Sequence, residues 1–341
     1  MTSDTGVYYD RKFKIIINTG EFIKTLESPT EPEDHALTIA FQIVKTADVK
    51  ANDAELTIYN LNKDSRDLII KNANIEIHAG YKNLIGMIFK GTVEFVSHTK
   101  QGTDWETKVV CRDGALAWRE SGISVCFEKG TSIDKVIDKL IQTITLPPNL
   151  ENKFREINTI AKGKIDNRPT KQGTTAVKAT AKSISTGFQR YADIDQAARK
   201  KQIEAAQRAK LVKANQSPQA IKLEKAEIIK GAAMQILDLF CQTFGMKAVL
   251  SDQCISIKPV GSPIDEDIVY LTPESGLIGS PEPIEKGGYR IVSLLRYDYR
   301  IYSDIAVLAD GVDGIFRIKR VEYNGEKNGQ NWYATIEGDP V

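Results

Sequence analysis

Residues that could carry catalysis are few in this chain, and their surroundings do not form a catalytic pattern. The three histidines are His35, His78 and His98, and two of them lie in alternating apolar and polar stretches that predict strands. The sequence contains neither G-x-x-x-x-G-K-[ST] nor G-x-G-x-x-G, so no loop that cradles phosphate groups is indicated. We therefore predict no catalytic residue, no cofactor-binding residue and no cofactor.

The cysteines and acidic runs do not have the spacing of a metal site. The chain has four cysteines: Cys111, Cys126, Cys241 and Cys254. They lack two-residue spacing and a neighbouring histidine, which excludes zinc and thioredoxin-like motifs and predicts reduced, half-buried thiols. Asp265-Glu266-Asp267 could offer oxygen ligands to Ca²⁺, but the central glycine and distal glutamate of a calcium loop are absent. We predict a polar turn before a strand at Val269, and no metal.

A glycoside hydrolase would need two carboxylates on opposite sides of a sugar-sized cleft. The stretch that remains unassigned to any other role offers Asp193, Asp195 and Glu204, on a predicted surface helix with few aromatic residues that could stack on sugars. This does not resemble a muramidase, and we predict that the chain is not an enzyme.

Aromatic residues concentrate towards the C-terminus, where they could stack on nucleic-acid bases or pack inside a β structure. They are Tyr297, Tyr299, Tyr302, Phe316, Tyr323, Trp332 and Tyr333. Their positions within predicted strands favour core and interface packing.

The composition is that of a globular protein. The 341 residues suffice for two or three domains, and 46 Lys and Arg balance 45 Asp and Glu, which argues against a dedicated nucleic-acid binder. No run of about 18 apolar residues predicts a membrane anchor, and residues 1–6 do not resemble a secretion signal. We expect folding in a cytoplasm.

Residues 12–114 alternate with the period of β-strands. Leu37, Ile39, Phe41 and Ile43 fall on one face, similar alternation runs through Val93 and Phe95, and a turn at 100–104 predicts a hairpin. Residues 63–69 predict a short helix. Several strands at this spacing indicate a barrel or a sandwich.

The middle of the chain changes to helical spacing. Apolar residues from Ile133 to Ile144 predict a helix with a capping box at Thr131 and Asp134 and an end before Pro147-Pro148. A second helix is predicted from Ile229 to Phe244 with Gly245 as its left-handed C-terminal residue, followed by a hairpin around 251–253.

A basic stretch separates these two helices. Residues 161–230 hold 16 Lys and Arg against 6 Asp and Glu, a net charge of +10. Residues 197–214 are rich in Ala, Lys, Gln and Arg and predict an exposed helix. We predict an insertion that projects as a helical arm towards an acidic neighbouring protein or, alternatively, DNA; a solvated excursion is the other reading.

The C-terminal part returns to strands at 289–296, 299–308, 315–323 and 332–337. Residues 324–329 are placed in the last turn, because Asn-Gly is a strong hairpin signal.

Several short motifs resemble those of baseplate hub proteins from contractile phage tails, the Mu-like hub family. The N-terminal motifs are Tyr59-Asn60-Leu61, Ala79-Gly80-Tyr81 and Phe89-Lys90-Gly91-Thr92-Val93, and the C-terminal motifs are a Gly276-Leu277-Ile278-Gly279-Ser280-Pro281 turn, Gly314-Ile315-Phe316-Arg317 and Asn331-Trp332-Tyr333. The resemblance covers residues 8–150 and 226–341. The basic insertion departs from the family pattern.

The resemblance implies two tail-tube-like barrels, and together with the residue patterns it predicts a mainly β fold with α+β parts in five segments. These are an N-terminal tail-tube-like β-barrel at 1–114, an α+β module in two halves at 115–160 and 226–262, the basic, partly helical insertion at 161–225, and a C-terminal β-barrel at 263–341.

The resemblance also implies a structural role. It predicts a homotrimeric hub in the virion baseplate that adapts the six-fold tail tube to the three-fold central spike and forms part of the channel through which DNA passes at genome ejection. The implied partners are the tail tube, spike, tape-measure and baseplate wedge proteins, and assembly would take place in the host cytoplasm.

Two other functions remain open from the residues alone. A carbohydrate- or receptor-binding β-module of a tail fibre would expose aromatic residues at loop tips. A nucleic-acid-binding protein built around the insertion would bind DNA with a steep salt dependence.

Overall fold

The computed structural model describes residues 10–29, 37–47, 51–82, 84–114, 121–144, 223, 225–243, 245–265, 267–285, 287–309 and 312–341. The predicted helix at 197–214, nearly all of the basic insertion, His35, Glu266 and Pro147-Pro148 lie outside these residues. The described part is mainly β, as predicted, with three α-helices and one 3-10 helix in it.

The first part of the chain forms seven strands and one helix. They are β1 (Arg11–Asn18), β2 (Ile23–Glu27), β3 (Ile39–Thr46), β4 (Asn52–Tyr59), α1 (Lys63–Asp67), β5 (Asn74–Tyr81), β6 (Leu84–Gln101) and β7 (Asp104–Asp113). The predicted alternation is confirmed in β3, where Ile39, Phe41 and Ile43 are buried. The predicted hairpin joins β6 to β7. The alternation of Val93 and Phe95 is wrong, because a β-bulge between them turns Phe95 outward.

The middle part contains two helices and two strand pairs. They are β8 (Gly122–Phe127), α2 (Ile133–Thr143), β9 (Glu227–Ala232), α3 (Ala233–Thr243), β10 (Met246–Ser251) and β11 (Cys254–Pro259). β8 pairs with β9, β10 pairs with β11, and one apolar cluster draws residues from both helices and both pairs.

Two details of the predicted helices are wrong. Ser132 is the N-cap residue of α2 and makes no side-chain cap, while the Thr131 hydroxyl donates to the Glu128 carbonyl instead. Ile229 lies in β9 rather than in the second helix, because it pairs with Val125 of β8. The left-handed residue after α3 is Gly245, as predicted, with φ of 69°.

The last part forms six strands. They are β12 (Val269–Leu271), β13 (Leu277–Pro283), β14 (Tyr289–Leu294), β15 (Asp304–Ala309), β16 (Val312–Glu326) and β17 (Trp332–Pro340). A 3-10 helix at Pro273–Ser275 precedes β13.

Three details predicted for this part are wrong. Residues 277–281, expected to form a turn, begin strand β13, and Tyr299 lies in the connection before β15. Only the second half of the predicted turn at 324–329 is a turn: the first Asn-Gly pair, at 324–325, lies inside β16, and the second, Asn328-Gly329, lies in the turn.

The first and last parts repeat one strand arrangement. The first has the order β3-β4-β7-β6-β5-β1, and the last has the order β13-β14-β17-β16-β15-β12. If the strands of each part are numbered along the chain, leaving out β2, both orders become 2-3-6-5-4-1. We call these two parts the N-terminal and C-terminal β regions. They differ in one pairing, because β1 runs antiparallel to β5 whereas β12 runs parallel to β15.

Details inside the two long hairpins also repeat. β7 has Trp105 as its second residue and β17 begins at Trp332. A bulge in β6 lies opposite Val110 and Cys111, and a bulge in β16 lies opposite Glu337 and Gly338. In each hairpin the bulge therefore lies opposite the fifth and sixth residues after the tryptophan, so the two hairpins share one register.

The two β regions join edge to edge into one sheet of 13 strands, because β3 pairs with β16. One apolar cluster runs through both regions, from Phe13 and Ile15 to Trp332 and Ile336.

Candidate assembly surface

The junction between the two β regions, which we call the seam, is a complete antiparallel ladder. Residues 40–46 of β3 pair one to one with residues 320–326 of β16. On the outer face the Gln42 side-chain amide donates to the Glu322 carboxylate at 2.8 Å. Backbone pairing over this length fixes the register of one β region against the other.

Aromatic rings of each β region pack on glycines of the other. A Cβ atom added at Gly325 would overlap the ring of Phe41, and one added at Gly86 would overlap the ring of Tyr297. Only glycine leaves room for such close approach of a ring to a strand. The seam is therefore an interlocked contact as well as a hydrogen-bonded ladder.

Trp332 anchors the same junction. Its indole N–H donates to the Gly80 carbonyl at 3.2 Å, and its ring meets that of Phe41 edge to face with centroids 5.5 Å apart. The Arg11 guanidinium lies 5.7 Å from the Trp332 ring and donates to the carbonyls of Glu326 and Gly329. The first strand thus holds the last hairpin turn.

A buried polar cluster attaches the β10–β11 hairpin to the N-terminal β region. Asp113, fully buried at the end of β7, accepts hydrogen bonds from the backbone N–H groups of Asp252 and Gln253 at 2.6 and 2.7 Å. The Asn52 amide donates to the same carboxylate at 3.1 Å. We call this group, together with Lys45, the polar latch.

The hairpin turn held by the latch is conformationally demanding. Asp252 and Gln253 have φ of 55° and 60°, the left-handed region that glycine and asparagine usually occupy in such two-residue turns. Asp113 satisfies both of their N–H groups. A strained turn is thus stabilised by the surface that it contacts.

The latch contains two carboxylates and one ammonium group. The Lys45 ammonium lies 2.7 Å from both carboxylate oxygens of Asp252, which also accepts from the Lys90 backbone N–H at 3.2 Å. Burial, with the charge of Asp252, raises the pKa of Asp113 to about 7 from its ordinary value of 3.8. One lysine thus faces two carboxylates, and the second is costly to ionise.

Within the 13-stranded sheet, the described strands with an unpaired edge are β2, β12, β13 and the second half of β6. β5 pairs with β6 only from Leu84 to Thr92. Beyond that, residues 95–101 of β6 have β7 on one side and, among the described residues, no strand on the other. β13 likewise pairs with β14 alone.

The residues weighed as catalytic candidates do not come together. His78 lies 3.7 Å from the Glu76 carboxylate, and this contact, together with a hydrogen bond from the Lys90 ammonium, lowers the pKa of Glu76 to about 2. His98 contacts the Thr107 hydroxyl at 3.1 Å, and partial burial lowers its pKa.

All four cysteines are free thiols; Cys111 and Cys241 are buried, which raises the pKa of each to about 12, and Cys126 is exposed. Asp265 pairs with Arg300 at 3.2 Å, in the connection before β12. Within the described ranges, no group of three or more His, Cys, Asp or Glu residues could hold a metal ion.

The C-terminal aromatic residues serve packing. Tyr299, Phe316, Tyr323 and Trp332 are buried, and the Tyr323 hydroxyl donates to the Tyr299 carbonyl at 3.1 Å. No helix among the residues described here has the length and apolar character to cross a membrane.

The polar latch and the seam were not predicted from the sequence. The repeat did leave a trace, since Gly102-Thr103-Asp104-Trp105 and Gly329-Gln330-Asn331-Trp332 both place a tryptophan three residues after a turn glycine. The sequence contains no local pattern that predicts the polar latch, because Asp113 and Asp252 are far apart in the chain.

No protein-family model matches the chain, and the search of curated proteins finds no match. Solved structures do match. A tail protein from Neisseria meningitidis MC58 aligns with a TM-score of 0.53 and 10% identity over 97% of both chains. The 43 kDa tail protein of prophage MuSo2 from Shewanella oneidensis aligns with a TM-score of 0.54 and 8% identity over 96% of both chains.

A third similar structure is a component of the Escherichia coli type VI secretion system that itself exhibits structural similarity to the bacteriophage T4 tail proteins gp27 and gp5. It aligns with a TM-score of 0.52 and 8% identity, over 96% of this chain and 77% of that one. These alignments span both β regions and the residues between them. The chain therefore shares the mainly β fold of phage tail proteins.

Proposed function

We propose that this chain is a structural subunit of a phage tail baseplate, the hub, in which three copies surround a channel for DNA. One observation carries the proposal: the same six-strand arrangement occurs twice and is joined through a paired seam. Three copies would present six equivalent β regions. Such a ring can match a six-fold tail tube on one side and a three-fold spike on the other.

The repeat explains why a ring is the expected assembly. Each copy has unpaired strand edges in both β regions. A head-to-tail contact between an edge of one region and an edge of the other closes into a ring when its rotation is a whole fraction of a full turn. Each β region is proposed to be a tail-tube-like barrel, with residues 1–114 and 263–341 as the two barrels. The halves at 115–160 and 226–262 form the α+β module, and 161–225 is its insertion.

The proposed partners follow from this position in a contractile tail. The ring would contact the tail tube, spike, tape-measure and wedge proteins within the virion, after assembly in the host cytoplasm. Its function would be to maintain the shape of the channel, because large obligate interfaces between the copies hold the ring together while DNA passes. Catalysis has no part in this role.

The mass of the assembled particle tests the proposal. Light scattering of the purified chain, alone and with its tail-tube and spike proteins, should give three copies per ring. A stable monomer in the finished tail, or a ring of six copies, would overturn it. A zymogram gives a second test, because cell-wall clearing by the pure protein would contradict a purely structural role.

A further inference from the structure

We propose that residues 95–101 of β6, which we call the open edge, receive the C-terminal β region of a neighbouring copy through that copy's β13. This contact would repeat between chains the seam that β3 and β16 make within one chain. It rests on the proposed ring and names the surface that closes it.

The open edge occupies the same place in its hairpin as the paired part of β16. The first half of β16 pairs with β15, and after the bulge residues 320–326 pair with β3. The first half of β6 pairs with β5, and after the bulge residues 95–101 have no second strand among the described residues. The arrangement is therefore complete in the C-terminal β region and incomplete in the N-terminal one.

The residue equivalence follows from the tryptophans. Lys100 pairs with Trp105, and Gly325 pairs with Trp332. Counting back from these pairs to the bulges makes residues 95–101 equivalent to residues 320–326. The seven-residue stretch that β3 covers in one region thus has no second partner strand in the other among the described residues.

Large apolar side chains are exposed at the bulge end of the open edge, whereas residues 97–101 are polar. Phe95 is 56% exposed, on the same face as Val110 across the hairpin. Ile23 is the first residue of β2, at the end of that strand that lies towards the open edge, and its side chain is 71% exposed. An unpaired strand flanked by exposed large apolar residues invites association and marks an interaction site.

The strand equivalent to β3 identifies the occupant. β13 holds the place beside β14 that β3 holds beside β4, and no strand of the described part of the chain pairs with its outer edge. Its Ile278 is 43% exposed. Because β13 belongs to every copy, a second copy can supply what the first lacks.

The register of the seam predicts the register between copies. Within the chain Asn324 pairs with Gln42. The equivalent of Asn324 is Thr99. The equivalent of Gln42 is Glu282, since the partners of these two residues, Glu55 and Arg290, pair with the fifth residues after the two tryptophans. Thr99 of one copy should therefore face Glu282 of the next.

The contact cannot be a full hydrogen-bonded ladder. Pro283 has no N–H group, and it faces the open side of β13 because the next N–H group, that of Ile284, donates to Gly288 on the β14 side. Side-chain packing around Phe95 and Ile278 must then supply much of the association. The expected interface is weaker per residue than the seam.

Mixed cross-linking tests the pairing. One chain carries Thr99→Cys and the other Glu282→Cys, both in a background with Cys126→Ser and Cys254→Ser that removes the accessible native thiols. Under mild oxidation we expect a disulfide-linked dimer from the mixture and none from either chain alone. A matched mixture of Thr99→Cys with Val260→Cys should stay unlinked.

A substitution tests the same surface without cross-links. Phe95→Asp should raise the concentration needed for half-assembly by about ten-fold or more, with an unchanged melting temperature. Leu239→Asp, at an equally apolar position that is 67% exposed on α3, should leave assembly intact.

The outcomes separate this inference from the proposed function. Trimers that form normally with Phe95→Asp and give no Thr99–Glu282 cross-link would overturn the edge assignment and leave the hub role standing. A chain that stays monomeric with tube and spike proteins present would overturn both.

Discussion

The strands β3 and β13 hold equivalent places in the two β regions, yet their free edges differ. β3 contains no proline and forms an unbroken ladder across the seam. β13 carries a bulge between Ile278 and Glu282 and the prolines Pro281 and Pro283. The edge of β3, which pairs with β16 inside the chain, can thus form a regular ladder, whereas the bulge and the prolines disrupt regular pairing at the outer edge of β13. Such blunting limits indiscriminate edge-to-edge aggregation while still allowing a specific contact.

The ends of β7 and β17 show a second difference. Asp113 and Pro340 are each the eighth residue after the tryptophan of their hairpin. Asp113 is buried and binds the β10–β11 turn, whereas Pro340 is exposed. One repeated arrangement therefore carries a docking group in the N-terminal region and a bare strand end in the C-terminal region.

Removing the docking group should have the largest effect. Asp113→Ala leaves the N–H groups of Asp252 and Gln253 without their acceptor, and we expect a loss of about 2–4 kcal/mol in the free energy of unfolding. Urea denaturation measures it. Asp53→Ala, at the neighbouring surface pair with Arg112, is the control and should cost less than about 1 kcal/mol. Equal losses in the two variants would show that the buried hydrogen bonds of Asp113 stabilise the fold no more than a surface ion pair does.

Filling a seam glycine should come next. Gly325→Ala places a methyl group against the ring of Phe41 and should cost about 1–3 kcal/mol. Gly122→Ala, where a Cβ meets nothing within 4 Å, should be nearly neutral. Combining Gly325→Ala with Phe41→Leu should recover part of the loss in a double-mutant cycle. Strict additivity would contradict direct contact.

The latch also predicts a pH dependence. The folded pKa of Asp113, about 7, lies above its ordinary 3.8, so the folded protein retains a proton that the unfolded chain loses. Stability should therefore be highest near about pH 4–5 and fall as the pH rises to about 7, by roughly 1–3 kcal/mol. Asp113→Asn should flatten the profile in this window. A stability that rises between about pH 4–5 and about pH 7 would refute the assignment of this pH dependence to Asp113. Glu76 does not affect this window, because its pKa is lowered and its contribution to stability is lost only at lower pH.

The smallest effect is expected at the blunted edge. Replacing Pro281 and Pro283 with threonine restores two N–H groups, and monomer stability should change by less than about 1 kcal/mol. Self-association measured by sedimentation should rise a few-fold, with open chains of copies beside closed rings. An unchanged distribution would show that the prolines do not limit pairing.

Much of the fold could be predicted from the sequence because alternation and helical spacing report local geometry. The strands around Ile39 and Ile75, the β6–β7 hairpin and the helix from Ile133 all agree with the structure. The hub-like motifs predicted a fold that the solved tail proteins share. The segment boundaries remain a prediction.

The errors have a common physical source. The bulge that turns Phe95 outward and the strand at 277–283 both depend on partner strands distant in the chain. Asn324-Gly325 has the chemistry of a turn, but pairing with β3 keeps it in a strand. The polar latch likewise exists only once β7 and the β10–β11 hairpin have met. Local patterns carry no record of such contacts.

Because these aromatic rings pack directly on glycines, the residues allowed at one position of each pair depend on the residue at the other. A side chain at position 325 can arise only if position 41 first loses its ring, and the same holds for positions 86 and 297. Related sequences should then vary at these pairs in concert or not at all. Proteins that share this fold at about 10% identity are difficult to align by sequence. Such paired positions would help to align their sequences.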